Sequence, residues 1–149
     1  MIQRKQTLFL LLAFVAAVVC LSLPVGYFEP EAMGTSLVMT NLWITGETGT
    51  RLVLPLFISL LLTCPLMLWA ILAYRKRRLQ ARLCMWCMVL NVVWYALHIV
   101  YGYGIGVEGM AFRPAFAFCL PLVSSALLLM ARKGILDDER LVRSADRIR

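Results

Sequence analysis

The sequence predicts an all-α membrane protein: a four-transmembrane-helix bundle with both termini on the inner side, a small β-hairpin or sheet in the outer loops, and an amphipathic C-terminal helix. Three observations predict it. Hydrophobic residues make up 62% and charged residues 15% of the 149, where a soluble domain has about 45–50% and about 25%. So little charge cannot cover a globule of this size with a polar surface. Four apolar runs are each long enough, or nearly so, for the ~20 helical residues that cross a hydrocarbon core of roughly 30 Å. Finally, the charges arrive in blocks between those runs.

The first run, residues 7–28, follows a basic start and resembles a secretory signal. Val19, however, is bulky where a cleavage box before Cys20 needs a small residue, and the apolar run continues to Phe28. It reads as an uncleaved first span. The second span is expected over 52–74, the third over 83–102 and the fourth over 115–131, which Phe112 and a snorkelling Arg113 can extend. In lipid each must be helical, because only a helix satisfies its own backbone polar groups. Pro65 and Pro121 fall inside the second and fourth runs and are expected to kink them. Residues 1–149 read as one integral membrane domain.

Orientation follows from the basic residues. Arg4 and Lys5, then Arg75, Lys76, Arg77, Arg78 and Arg82, then the six of the tail put 13 of 15 on one side. Only Arg51 and Arg113 remain on the other, which also carries Glu29, Glu31, Glu47 and Glu108. The expected location is a bacterial inner membrane, with both termini cytoplasmic and the basic loop against anionic headgroups.

The outer loop over 29–51 is not a linker. Residues 36–45 are rich in β-branched and apolar types, and Gly46 to Gly49 supply a turn. A short hairpin on the outer surface is expected, with Trp43 near the headgroups as an outer-loop contact. The glycine-rich stretch Tyr103–Arg113 can add a strand. In the tail, 132–149, Gly134 reads as a helix stop and Asp137 as the cap of a new helix. Leu141, Ala145 and Ile148 would then face the membrane, and Arg140, Arg143 and Arg147 solvent.

The opening Ile2-Gln3-Arg4 and the closing Leu141-Val142-Arg143-Ser144-Ala145-Asp146-Arg147, around four spans and a basic middle loop, carry a resemblance. Over its whole length the chain resembles a domain-of-unknown-function family of small four-span inner-membrane proteins of Bacteroidota. The resemblance implies location and architecture, and no activity, substrate or catalytic residue. A looser likeness is to the claudin plan, with Asn41-Leu42-Trp43 where that family has Gly-Leu-Trp, but without the paired loop cysteines.

Candidate chemistry is sparse. Asn91, Tyr95 and His98 recur at i, i+4 and i+7 on the third span and form one polar stripe, which Gly102 extends. An intramembrane ionisable residue is a functional candidate; interhelical hydrogen bonding is the ordinary alternative. Cys84 and Cys87 form a CxxC at the start of that span, beside Arg78 and Arg82, where a helix N-terminus and cations favour thiolates. They lie on the basic side and lack a second pair to pass electrons on. Zinc would need two more ligands there, so no metal is expected. The odd count of five cysteines also argues against a disulfide scaffold. Tyr101-Gly102-Tyr103-Gly104 lacks the pore helix of a potassium filter, and the following GxGxxG lacks a βαβ context. Nothing supports nucleic-acid binding. No cofactor is implied, and no nucleophile–base pair or paired carboxylates argue for an enzyme. The leading expectation is a non-enzymatic accessory or scaffold protein that meets itself or a larger membrane partner. The alternatives are a small-molecule or lipid-handling protein with a pocket at Asn91, Tyr95 and His98, or a thiol redox protein using Cys84 and Cys87.

Overall fold

Leucine- and alanine-rich sequence without proline or glycine before Pro24 lets the first run form one uninterrupted helix, α1 (Ile2–Ser22). The computed structural model describes residues 2–30, 34–46, 49–104 and 109–146. In it α2 (Leu54–Leu72) starts with Pro55 in its first turn, where a missing N–H is harmless, and carries Pro65 in its interior. The third helix, α3 (Arg77–Ile99), runs on into a π-helical turn, Val100–Gly104. A 3-10 turn, Phe116–Cys119, leads into α4 (Leu120–Asp146). All four helices are long and apolar enough to cross a membrane.

Several boundaries depart from expectation for local reasons. α1 stops at Ser22, and the last three residues of the first apolar run, Gly26 to Phe28, fall in a strand, Gly26–Pro30. Arginine is a good helix former, so α3 starts at Arg77 and absorbs Arg77, Arg78 and Arg82 from the expected loop. Pro121 lies in the first turn of α4 rather than mid-helix, and so breaks nothing there. Gly134 does not stop α4, and Asp137 caps no new helix; both lie inside one continuous helix. Gly134 is small for another reason: a Cβ there would sit 3.1 Å from Cγ of Gln6 on α1.

The helices share one packing rhythm, with inward positions at alternating steps of four and three residues. They are Gln6, Leu10, Ala13, Ala17 and Cys20 on α1, and Leu56, Leu60, Thr63, Met67 and Ala70 on α2. On α3 they are Gln80, Cys84, Cys87, Asn91, Trp94 and His98, and on α4 Pro121, Ser124, Leu128, Ala131, Ile135 and Asp138. A seven-residue repeat keeps one stripe turned towards neighbours that cross at a shallow angle. α1 packs against α4 and α2, and α3 against α2 and α4, which closes a cycle. The outward faces are apolar, with Leu11, Val15, Leu62, Val92 and Leu129 all exposed.

The two connections at the other end from the basic turn combine into one antiparallel sheet. Its strands are β1 (Gly26–Pro30), β2 (Leu37–Met39), β3 (Trp43–Gly46), β4 (Gly49–Leu52) and β5 (Met110–Pro114), in the order β4-β3-β2-β1-β5. The expected hairpin turn is closed by the Gly46↔Gly49 pair, with Glu47 and Thr48 outside the described residues. The expected strand from the glycine-rich stretch is β5, paired along all of β1. Arg113 pairs across the sheet with Glu29 at 2.7 Å. Phe112 of β5 lies between two glycines. A Cβ on Gly26 would come within 2.4 Å of its ring and one on Gly102 within 2.7 Å. The glycine of the Gly-Tyr-Gly stretch is thus the seat of a phenylalanine from the sheet.

Gly102→Val is expected to displace Phe112 and destabilise the fold by about 1–3 kcal/mol. Gly104→Ala, whose new Cβ would meet nothing closer than 3.9 Å, should be near neutral. Thermal unfolding in detergent checks both; equal effects would show that Phe112 is not seated there.

Candidate functional site

The polar stripe on α3 faces inward, and most of it is occupied within the chain. Asn91 is fully buried, and its Nδ2 donates to Oγ of Ser125 at 2.9 Å and to the carbonyl of Pro121 at 3.3 Å. The Tyr95 hydroxyl donates to the carbonyl of Phe118 at 2.7 Å. Both side chains therefore fasten α3 to the start of α4. His98 is 1% exposed and lies among rings: stacked on Trp94 at 5.0 Å, with Phe118 at 5.1 Å and Phe112 at 5.4 Å. Neither of its ring nitrogens, nor Oδ1 of Asn91, has a hydrogen-bond partner among the described residues. The structure brings these three residues to one seam, and three clefts lie away from it, at the α3–α4 surface, the basic turn and the sheet.

The residue that organises this end of the molecule is Asn41, in the bend between β2 and β3. It is 1% exposed. Its Nδ2 donates to the carbonyl of Cys20 at 2.6 Å, and its Oδ1 accepts from Nε1 of Trp94 at 2.9 Å. The cause lies in the α1 terminus. The N–H that would continue the helical ladder to Cys20 belongs to residue 24, a proline, which has none. A helix end leaves such carbonyls orphaned, and here a loop amide fills the gap. Asn41 thus joins α1, α3 and the sheet at one point. The motif Asn41-Leu42-Trp43 marked the place, but the chain alone does not reveal that the amide points inward. Trp43 itself is 44% exposed.

Cys84 and Cys87 are successive inward positions of α3 and are both fully buried. With α3 beginning at Arg77, Cys84 is two turns inside the helix, beyond reach of its N-terminus. The Cys87 thiol points at the Thr63 carbonyl of α2, at 3.9 Å. All five cysteines are free, and no cluster of three or more metal-ligating side chains exists among the described residues.

The basic end is held by different contacts. Gln6 Nε2 donates to Oδ2 of Asp138 at 2.5 Å, and Arg77 Nη1 donates to the Asp138 carbonyl at 3.1 Å. Arg78 pairs with Glu139 at 2.5 Å. Arg75 sits over the ring of Tyr74 at 5.8 Å, and Lys76 immediately precedes α3 without a side-chain bond to its first turn. Arg82 is exposed and lies in the α3–α4 cleft with Arg132, a residue that charge counting alone did not single out.

Asn41→Ala leaves both the Cys20 carbonyl and the Trp94 N–H unpaired and should cost about 2 kcal/mol. A double-mutant cycle with Trp94→Phe should return a coupling of about 1 kcal/mol; additivity would show that the bond does not contribute. Under native conditions a maleimide should modify the exposed Cys119 first, leaving Cys84 and Cys87 until the protein unfolds. Rapid modification of either would contradict their packing.

A comparison with curated proteins finds no match. A family model does match, over residues 2–148, nearly the whole chain. The protein belongs to the family described as Domain of unknown function (DUF4293).

Proposed function

We propose that this protein spans a bacterial inner membrane four times as a helical bundle, with both termini cytoplasmic, and works as a non-enzymatic accessory or scaffold protein. Support for insertion comes from the four long apolar helices with apolar outward faces. A patch of that extent is rare on soluble monomers. Support for the direction comes from the sequence, which groups 13 of its 15 basic residues at the start of α1, around the start of α3 and in the tail. The observation that carries the scaffold reading is at the other end. The sheet is fastened to the helix interior through Asn41 and Phe112, yet its edge strand β4 is exposed at every residue and bonded on one side only, to β3. A rigid platform with an open edge suits a partner that adds an extended segment to it.

A photo-crosslinking side chain in place of Thr50 on β4 should capture one protein species in cells. The same probe at Leu129, on an outward apolar face, should give mostly lipid adducts. A lone monomer at both positions, with nothing co-purifying in mild detergent, would count against the scaffold reading. Direction is tested by adding one exposed cysteine at a time to a Cys119→Ala background, whose four remaining cysteines are buried. Thr50→Cys should react with an impermeant thiol reagent on intact spheroplasts, and Ser144→Cys only after permeabilisation.

A further inference from the structure

The α3–α4 surface near the basic end carries a cleft that joins two of the basic residues expected against anionic headgroups, Arg78 and Arg82, to residues of α4. It encloses about 560 Å³ and is lined by Arg78, Ala81, Arg82, Met85, Trp86, Val89, Arg132 and Leu136. Its chemistry is divided along its length. Arginines from both helices stand at one end, and Met85, Trp86 and Val89 continue the floor along α3. From Arg82 to Val89 the helix advances roughly 10 Å at 1.5 Å per residue.

The charge in the cleft is not neutralised from within. No carboxylate lines it, and the acidic residues of the adjoining α4 turns are engaged elsewhere. Asp137 faces Arg140 at 3.8 Å, Asp138 turns inward to Gln6, and Glu139 holds Arg78. Arg82 and Arg132 have no carboxylate partner among the described residues, and Nε of Arg132 is buried without a hydrogen-bond partner. Two guanidinium groups that share a cleft and lack a carboxylate are a geometric complement for one phosphate. The level along the helices agrees. The apolar stretch of α3 from Leu83 to the end of its π-turn covers roughly 33 Å, close to a hydrocarbon core, so Arg82 stands at its boundary. Trp86 lies one turn further in, the depth at which tryptophan collects in membranes.

We infer that this cleft is a binding site for one anionic glycerophospholipid, with the phosphodiester held by Arg82 and Arg132 and an acyl chain laid over Met85, Trp86 and Val89. The inference rests on the membrane-spanning reading above. It also moves any lipid handling away from Asn91, Tyr95 and His98 to the opposite end of the helices. A soluble phosphate compound fits less well, because the polar part of the cleft is only its rim.

The test is native mass spectrometry of the full chain from an uncharged detergent, with phosphatidylglycerol and phosphatidylcholine of equal chain length. One phosphatidylglycerol per chain should be retained in preference to phosphatidylcholine. Arg82→Gln and Arg132→Gln should each weaken retention about fivefold, and Trp86→Ala should weaken it as well. Arg82 is exposed, so its variant keeps the test open if Arg132→Gln fails to fold. Arg75→Gln with Lys76→Gln, outside the cleft, should leave retention unchanged. Equal retention of both lipids, an equal loss on changing Arg75 and Lys76, or displacement by glycerol 3-phosphate at comparable concentration would each overturn the site. Alkaline carbonate extraction separates the two readings. Protein released from membranes would sink the four-span reading, whereas protein that pellets and shows no phosphatidylglycerol preference would sink only the lipid site.

Discussion

The packing of the helices depends on what faces inward along a seven-residue repeat. Those positions are filled largely by small or polar side chains, such as Ala13, Ala17, Thr63, Cys84, Cys87, Asn91 and Ser124. The large aliphatic residues mostly point outward, the reverse of a helix on a soluble core. When the surroundings are as apolar as the interior, burial of leucine gives helices little reason to associate. Close backbone approach and interhelical hydrogen bonds must then do it. The Ser124 hydroxyl shows this directly, donating to the Ala13 carbonyl of α1 at 3.2 Å. Such a bond forms only where Ala13 lets α4 come near.

The seam accounts for features that otherwise invite functional readings. A CxxC spacing is also the three-residue step of the repeat, so Cys84 and Cys87 fall on the packing stripe as a matter of period. Asn91 and His98 are one full repeat apart and face inward for the same reason. Of the stripe, only His98 and one oxygen of Asn91 keep unanswered polar atoms among the described residues. His98 lies among the rings of Trp94, Phe112 and Phe118, and Asn91 beside the Ser125 hydroxyl and the Pro121 carbonyl.

Both ends of the helices are pinned, but by unlike means. At the sheet end, Pro24 removes a backbone donor and Asn41 replaces it from a residue 21 positions away. Phe112 then fills the room that Gly26 and Gly102 leave. At the basic end, Gln6 and Asp138 join α1 to α4 across the Gly134 contact, and Arg77 and Arg78 hold α3 to the same turn of α4. These contacts engage Asp138 and Glu139, while Arg82 and Arg132 share a cleft with no carboxylate partner among the described residues.

What the chain by itself determined is whatever depends on local composition and period. The four apolar runs, the one-sided distribution of charge, the strand-forming stretch before Gly46 and the inward stripe on α3 are set by neighbours within a few turns. What the tertiary structure decided are the roles that require a distant partner. Gly134 has the sequence context of a helix stop, yet it is a contact point because Gln6 lies across from it. Pro121 resembles a kink until the start of α4 is known. Arg77, Arg78 and Arg82 resemble a loop until α3 is seen to begin at Arg77. The motif around Asn41 marked a place but not the inward amide, and Arg132 was one tail charge among six, because the missing donor at Pro24 and the surplus charge beside Arg82 belong to other segments. Local preference is additive along a chain. Hydrogen-bond satisfaction and charge balance are settled only when the segments meet.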